Sequence, residues 1–379
     1  MTWHKPADCE ICSVLESHPT ATNAEVKFLG GGIWGERTIR RHRNTPRLDD
    51  VDAFFNVPTS IITSRGKSTR LADGSWEKVT YRPQDEALLN ALKYDDIEKA
   101  LADYRPPATA VSAKVSTEVL CIADLQVGKV ASGGGSKELV DRVMKSVTAF
   151  EERVRVTRPG EILLLELGDL VENFSNLSTQ RATNDLDMTL QIRIARRLLS
   201  EIVKRVAHLA PKVVLVSVPS NHGAVRIEGT KDFASNPNND WGIEINHQIE
   251  EVFSNREGFE HVEFLRTEGH QESLTYTCLD GTVIGVVHGH QASNPTKISD
   301  WWKGQSHGRR HGLHLADILF HGHYHHLSIT QTGDERWIIG TPSSDGGSDW
   351  FVNKTGEVST SGMLMLEVSN RNWVNPKIV

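Results

Sequence analysis

From Ser116 onward this sequence of 379 residues predicts an α/β layered fold, and three observations carry the prediction. Short apolar runs, "EVLCIAD", "EILLLELGD", "KVVLVSVPSNH", "TVIGVVHGH" and "ADILFHGHYHH", are bounded and mostly free of charge, as expected of central strands buried on both faces. Stretches of helical period, "SKELVDRVMKSVTAFEERVRV" and "MTLQIRIARRLLSEIVKRVAHLA", lie between them, and that alternation implies layered sheet and helix. Nearly every run ends in Asp, Asn or His. Ligands of open α/β sheets collect at strand C-termini, so these endings should converge in space.

The elements before Ser116 read differently. "ADCEICSVLESHP" carries Ile11, Val14 and Leu15 at helical spacing and stops near Pro19. "TNAEVKFLG" follows, with Thr22 or Asn23 placed to cap a second helix and Gly30 to end it. "WGERTIRRHRN" is a third short piece that gathers Arg37, Arg40, Arg41 and Arg43. Two short helices, a turn and a basic helix form a helix-turn-helix pattern, whose last helix enters the major groove; a small three-helix unit with a solvated basic face has the same pattern. His4, Cys9, Cys12 and His18 have the residue types of a zinc site. The two cysteines fall on the apolar side of the first helix, where core packing is the preferred reading. "SIITSRGKSTRLADGSWEKVTYR" predicts a hairpin about Asp73-Gly74, "PQDEALLNALKYDDIEKALADY" a helix stopped by Pro106-Pro107, and "PPATAVSAK" a linker. The predicted domains are therefore 1–47, helix-turn-helix-like; 48–115, a connecting α+β module and linker; and 116–379, catalytic.

Composition narrows the class. A formal net charge of -7 argues against coating nucleic acid by bulk electrostatics and leaves room for a local basic patch. Four scattered cysteines suit a reducing compartment rather than a disulfide framework. The start has no signal-peptide pattern, and no apolar run approaches the roughly 20 residues that span a bilayer. The sequence thus predicts a cytoplasmic protein with no membrane partner, and a homo-oligomer is compatible with it.

Collected in order, the strand endings are Asp124 with Gln126, Gly168-Asp169, Asn221-His222, His288-Gly-His290 and His323-Tyr-His325. Residues two apart on an extended strand face the same way, so Gly-His-x-His can aim two imidazoles at one centre. Carboxylate, amide oxygen and imidazole together suit two divalent ions better than one. Singly, Asp169 could cap a helix and Asn221 could hold a turn; all five endings together point to metal chemistry. "GKVASGGGSKE" lacks the ending of a P-loop, and no serine sits in a nucleophile elbow.

Over about Ser116 to Val368 the chain resembles the calcineurin-like metallophosphoesterases, whose pattern of D-x-H, GD, GNH, a strand-terminal His and GH-x-H is met by "ADLQ", "GDLVEN", "SNHG", "VVHGH" and "GHYH". The resemblance implies a four-layer α/β/β/α sandwich and two divalent ions, Mn²⁺ foremost, with Mg²⁺, Fe²⁺, Zn²⁺ and Ni²⁺ as alternatives. Carried over, Asp124, Gln126, Asp169 and His325 hold the first ion, and Asp169, Asn221, His288 and His323 the second. His222, as the acid, and Asp124 are the expected catalytic residues. Ser220 replaces the glycine of GNH, and Gln126 replaces a histidine ligand. Gln126 binds more weakly than imidazole, directly or through water, or else orients substrate. In "HGH" either imidazole could ligate, and His288 is the one that ends the strand.

The expected reaction is phosphodiester hydrolysis, in which a hydroxide bridging two ions attacks phosphorus and His222 protonates the leaving oxygen. DNA is the expected partner, with RNA as the alternative. The basic helix favours this, as does the insert "SNPTKISDWWKGQSHGRRHGLH", where Trp301 and Trp302 lie beside Lys303, Arg309 and Arg310. Aromatics among cations stack bases and hold phosphates, or else pack a lid. The chain is closest in character to phage-type members and to the nuclease subunits of double-strand-break repair. Two rivals stand beside a DNA nuclease: a small-molecule phosphatase or cyclic-nucleotide phosphodiesterase, and a DNA-binding regulator with a decayed phosphoesterase domain.

Overall fold

A computed structural model describes residues 10–17, 21–29, 31, 39, 65–70, 76–81, 101, 104–174, 176, 180, 184–227, 230, 232–347 and 358–379. The chain divides into two compact units, Met1–Ile62 and Thr63–Val379. In the first, α1 (Glu10–Ser17) and α2 (Asn23–Leu29) bring Ile11, Leu15 and Val26 together with Ile39 in a small apolar cluster. Thr22 caps α2 reciprocally: its hydroxyl accepts from Glu25 N at 3.4 Å, and the Glu25 carboxylate accepts from Thr22 N at 2.6 Å. Of the expected basic helix only Ile39 is described. Arg37, Arg40 and Arg41 lie outside the described residues, as do His4, Cys9, His18 and the Cys12 side chain.

In the second unit, β1 (Arg65–Arg70) and β2 (Trp76–Tyr81) form an antiparallel hairpin whose last pair is Arg70 with Trp76. Most of the helix expected after it falls outside the described residues, although Leu101 is helical and buried. The expected linker runs without regular structure, with Ala110 N bonded to His208 O and the Ser112 hydroxyl to Arg158 O.

Beyond it the fold is mixed α/β with two larger sheets. The first contains β3 (Thr117–Ile122), β4 (Glu161–Glu166), β5 (Lys212–Ser217), β6 (Val262–Arg266), β12 (Leu364–Ser369) and β13 (Asn372–Ile378), in the order β13-β12-β3-β4-β5-β6. β3 to β6 run parallel, and β12 and β13 are added antiparallel. The second contains β7 (Ser273–Thr277), β8 (Val283–Val287), β9 (Ile318–His321), β10 (Ser328–Gly333) and β11 (Arg336–Gly340), in the order β10-β11-β9-β8-β7, with β8, β9 and β11 parallel.

Every residue of β3 and β4 is buried, which is why those runs carry no alternation. Their side chains still divide between two faces. Leu120, Ile122, Leu164 and Leu215 join an apolar cluster with α3 (Ser136–Thr157), α4 (Met188–Val206) and α5 (Trp241–Phe253). Val119, Cys121, Leu163, Leu165 and Val216 meet Ile284, Val286, Phe320 and Ile339 of the other sheet. Val287, Leu319 and Ile338 in turn pack with Ile298 and Trp302 of α6 (Ile298–His307), a helix in the insert. Burying each such side chain contributes about 1.5–3 kcal/mol, more than any local helix preference in α3 or α4. Cys121 and Cys278 are buried free thiols. No helix among the described residues is long and apolar enough to cross a membrane.

Candidate metal centre

The parallel strands deliver their polar endings together: Asp124 follows β3, Asp169 follows β4, Asn221 and His222 follow β5, His288 follows β8, and His323 and His325 follow β9. The chain turns sharply at these points. Asp124, Gln126, Asp169, His323 and His325 have φ of +50°, +45°, +55°, +70° and +54°. Few non-glycine residues adopt that left-handed region, and those that do concentrate at functional sites. Gly168 has to be glycine, because a Cβ there would stand 2.7 Å from both His288 Nδ1 and Ser220 Cβ.

One half of the centre is built around Asp169, His288 and His323, whose ligand atoms lie within 4.8 Å of one another. His288 Nδ1 donates to Leu167 O at 2.6 Å, which turns Nε2 towards Asn221 Oδ1 at 2.9 Å and Asp169 Oδ2 at 3.2 Å. Asp169 Oδ1 accepts from His222 N at 2.8 Å, whereas its buried Oδ2 has no hydrogen-bond partner among the described residues. An orphaned carboxylate oxygen facing an amide oxygen and imidazole nitrogens fits a divalent cation. Burial acts to lower the pKa of His288, but Asp169 outweighs it and holds the imidazole up at about 9. That carboxylate attracts whichever cation, proton or metal, lies between them. Burial, followed by His288, pushes His323 down to about 3.

The other half is arranged differently. Asp124 Oδ2 accepts from His323 N at 2.9 Å, and its Oδ1 lies 3.2 Å from His325 Nε2. His325 Nδ1 lies 3.3 Å from Asp345 Oδ2. The amide oxygen of Gln126 is turned to Lys129, whose Nζ donates to it at 2.6 Å and pairs with Asp345. Burial opposes the Lys129 charge, but Asp345, Glu172 and Asp124 outweigh it and raise that pKa. Burial would raise the Asp345 carboxyl, yet Lys129 and His325 hold it well below the usual carboxylate range.

His222 lies between the halves. Its Nδ1 is 3.0 Å from Glu172 Oε2 and its Nε2 is 3.9 Å from Asp169 Oδ2. Burial lowers its pKa, and Asp169 and Glu172 raise it further than burial lowers it, favouring a protonated ring. The loop carrying it is fixed from α5, because Asp240 caps that helix through Gly242 N and Ile243 N and also accepts from Ser220 N at 3.0 Å. The Ser220 hydroxyl bonds Asp240 as well and accepts from Gly223 N. Serine in place of glycine therefore reinforces the turn.

The remaining histidines divide clearly. His290 Nε2 faces Glu272 at 3.9 Å, outside the Asp169 group. His321 is buried with Nδ1 2.9 Å from Gly322 O, and His326 is exposed. In the insert, Trp302 is core: its Nε1 donates to Leu313 O at 2.9 Å, and the Arg336 guanidinium lies 4.5 Å over its ring. It cannot stack a base, and packing wins over that reading. Trp301 is half-buried against the same cluster, while Lys303, Arg309 and Arg310 are exposed.

Lys129, Glu172 and Asp345 are among the polar residues of the centre that motif reading passed over, as is Gln180, whose amide nitrogen lies 3.0 Å from His222 Nδ1. Glu172 stands in "GDLVEN" itself, and Asp345 follows β11 in "TPSSD", so the strand-end rule reaches both. Nothing comparable flags Lys129.

No family model matches the sequence, and no curated protein matches it. Among solved structures the chain is similar to Vps29 from Entamoeba histolytica, complexed with Zn²⁺, at 14% identity and a TM-score of 0.30, covering 68% of this chain and 88% of that one. It is also similar to a conserved uncharacterized protein of Streptococcus pneumoniae described as a predicted phosphoesterase, at 12% identity and a TM-score of 0.27, covering 69% and 86%. Vps29 from Chaetomium thermophilum gives 12% identity and a TM-score of 0.31, covering 67% and 85%. These superpositions are loose, and the functional reading rests on the side chains.

Proposed function

We propose that the chain is a metal-dependent phosphodiesterase of the calcineurin-like metallophosphoesterase kind, with the apolar clusters forming its four layers and DNA as its substrate. The observation that carries the reading is the orphaned Asp169 Oδ2 facing His288 Nε2 and Asn221 Oδ1 beside a buried His222. Asp169, Asn221, His288 and His323 would hold a divalent ion, with Mn²⁺ suited to the mixture of oxygen and nitrogen donors. Such an ion, when bound, neutralises phosphoryl oxygens and acidifies water. The chain's own residues do the rest. Glu172 holds His222 by Nδ1, which leaves Nε2 to deliver a proton to the departing oxygen. Asp169 Oδ1 fixes the His222 backbone, so acid and carboxylate keep a constant separation. Exposed Lys303, Arg309 and Arg310 offer phosphate contacts on the insert, as Arg37, Arg40 and Arg41 would on the expected basic helix.

Incubating the full chain with Mn²⁺ and labelled single- and double-stranded DNA, RNA, bis(p-nitrophenyl) phosphate and p-nitrophenyl phosphate tests the reading. DNA and the diester are expected to be cleaved and the monoester spared. Turnover of the monoester alone would make the protein a phosphatase, and a metal-loaded protein inert on all substrates would overturn the reading.

A further inference from the structure

We propose that the Lys129 ammonium stands in for the first of the two divalent ions, so that the centre takes a single metal, at Asp169, Asn221, His288 and His323. This rests on the reading of that half-site as a metal centre and concerns what faces it.

The argument begins with the chain. Lys129 follows Gln126 by three residues, through a turn closed by Lys129 N donating to Gln126 O at 2.9 Å. Gly128 makes the turn at φ +106°, where a Cβ would stand 2.6 Å from Asn184 Oδ1 and from the Gln191 amide. The turn brings the lysine side chain back over Gln126. There Nζ donates to Gln126 Oε1 at 2.6 Å and pairs with Asp345, and both of these partners are 2% exposed.

A divalent ion in this half-site would need the Gln126 oxygen that Lys129 already holds, and it would sit beside a fixed positive charge. Asp169 does not make up the loss, because its Oδ1 holds His222 N and its Oδ2 faces His288. The donors left are Asp124 Oδ1, buried without a hydrogen-bond partner among the described residues, and His325 Nε2, 3.2 Å from it. Two donors fall short of the three protein ligands usual for an open catalytic metal site. The ammonium supplies the missing charge itself. Of its three N–H groups two are engaged, and the third has no acceptor among the described residues, which leaves it for a phosphoryl oxygen. Gln126 is then a positioning residue that holds Lys129 through its amide oxygen.

The test counts ions. The full chain is stripped with chelator, refilled with Mn²⁺, desalted, and analysed by mass spectrometry for metal and by electron paramagnetic resonance. The wild type should hold about one Mn²⁺ per chain with the six-line signal of an isolated ion. A Gln126→His, Lys129→Ala double variant, shown to be folded by circular dichroism, should hold about two, with the spectrum of coupled ions. Two coupled ions in the wild type overturn the proposal, whether or not the double variant folds. A folded double variant that still holds one ion overturns it as well. A wild type that retains no Mn²⁺ would instead remove the metal-centre reading beneath it.

Discussion

The two halves of the centre use the same kinds of groups and are finished in opposite ways. Around Asp169, an amide oxygen, imidazole nitrogens and a buried carboxylate oxygen face one another, and no lysine or arginine stands among them. Around Asp124, the amide oxygen of Gln126 and the carboxylate of Asp345 already face a cation that belongs to the chain. Burying lone pairs against lone pairs is costly unless a cation completes the set. Each half keeps one buried carboxylate oxygen without a hydrogen-bond partner among the described residues, Oδ2 of Asp169 and Oδ1 of Asp124, and the halves differ in that Lys129 brings a cation of the chain to the second. The difference teaches that a ligand list drawn from motifs describes which atoms arrive and leaves open what they face on arrival.

The sharpest way to break the comparison is at Asp169, whose oxygens serve both His288 and the His222 backbone. Asp169→Asn should lower bis(p-nitrophenyl) phosphate turnover by at least about a thousandfold, or ~4 kcal/mol. Residual activity above about a tenth of wild type would end the assignment of Asp169 as the centre's main ligand.

A pair of changes then sets one half against the other. His288→Ala should empty the site of Mn²⁺, because it removes the nitrogen that faces both Asp169 and Asn221. His325→Ala should leave Mn²⁺ bound and cost turnover only about 10–100-fold, the range of a residue that tunes a site without holding its ion. Metal content after desalting decides, and equal loss of ion from both variants would erase the distinction between the halves.

The smallest effect is expected at Gln126. Since its oxygen serves Lys129, Gln126→Ala should leave the Mn²⁺ content unchanged and slow diester cleavage about tenfold, as a charged donor loses one acceptor. A drop in Mn²⁺ content on the same substitution would return Gln126 to the ligands.

Much of this centre could be read before any coordinates. Uninterrupted runs such as "EILLLELGD" announce strands buried on both faces, and parallel strands force their C-terminal residues to one edge, so Asp169, Asn221, His288 and His323 meet through periodicity and topology alone. Thr22 as a cap was equally legible, since capping is settled within one turn of chain. Trp302 shows the limit: beside Lys303 and Arg310 in sequence it reads equally as a base-stacking surface or as packing, and only the sheet beneath α6, which takes its ring into the core, decides between them.

What the sequence by itself determined is the set of atoms at the strand ends, because those depend on local period and strand direction. Only the tertiary structure decided which partners they have. Asp345 reaches Lys129 from the segment that follows β11, in the second sheet. Lys129 turns back on Gln126 only because Gly128 folds tightly beneath Asn184 and Gln191. Hydrogen bonds and charge pairs fall off over a few ångströms, and no spacing along a chain encodes which distant groups come that close.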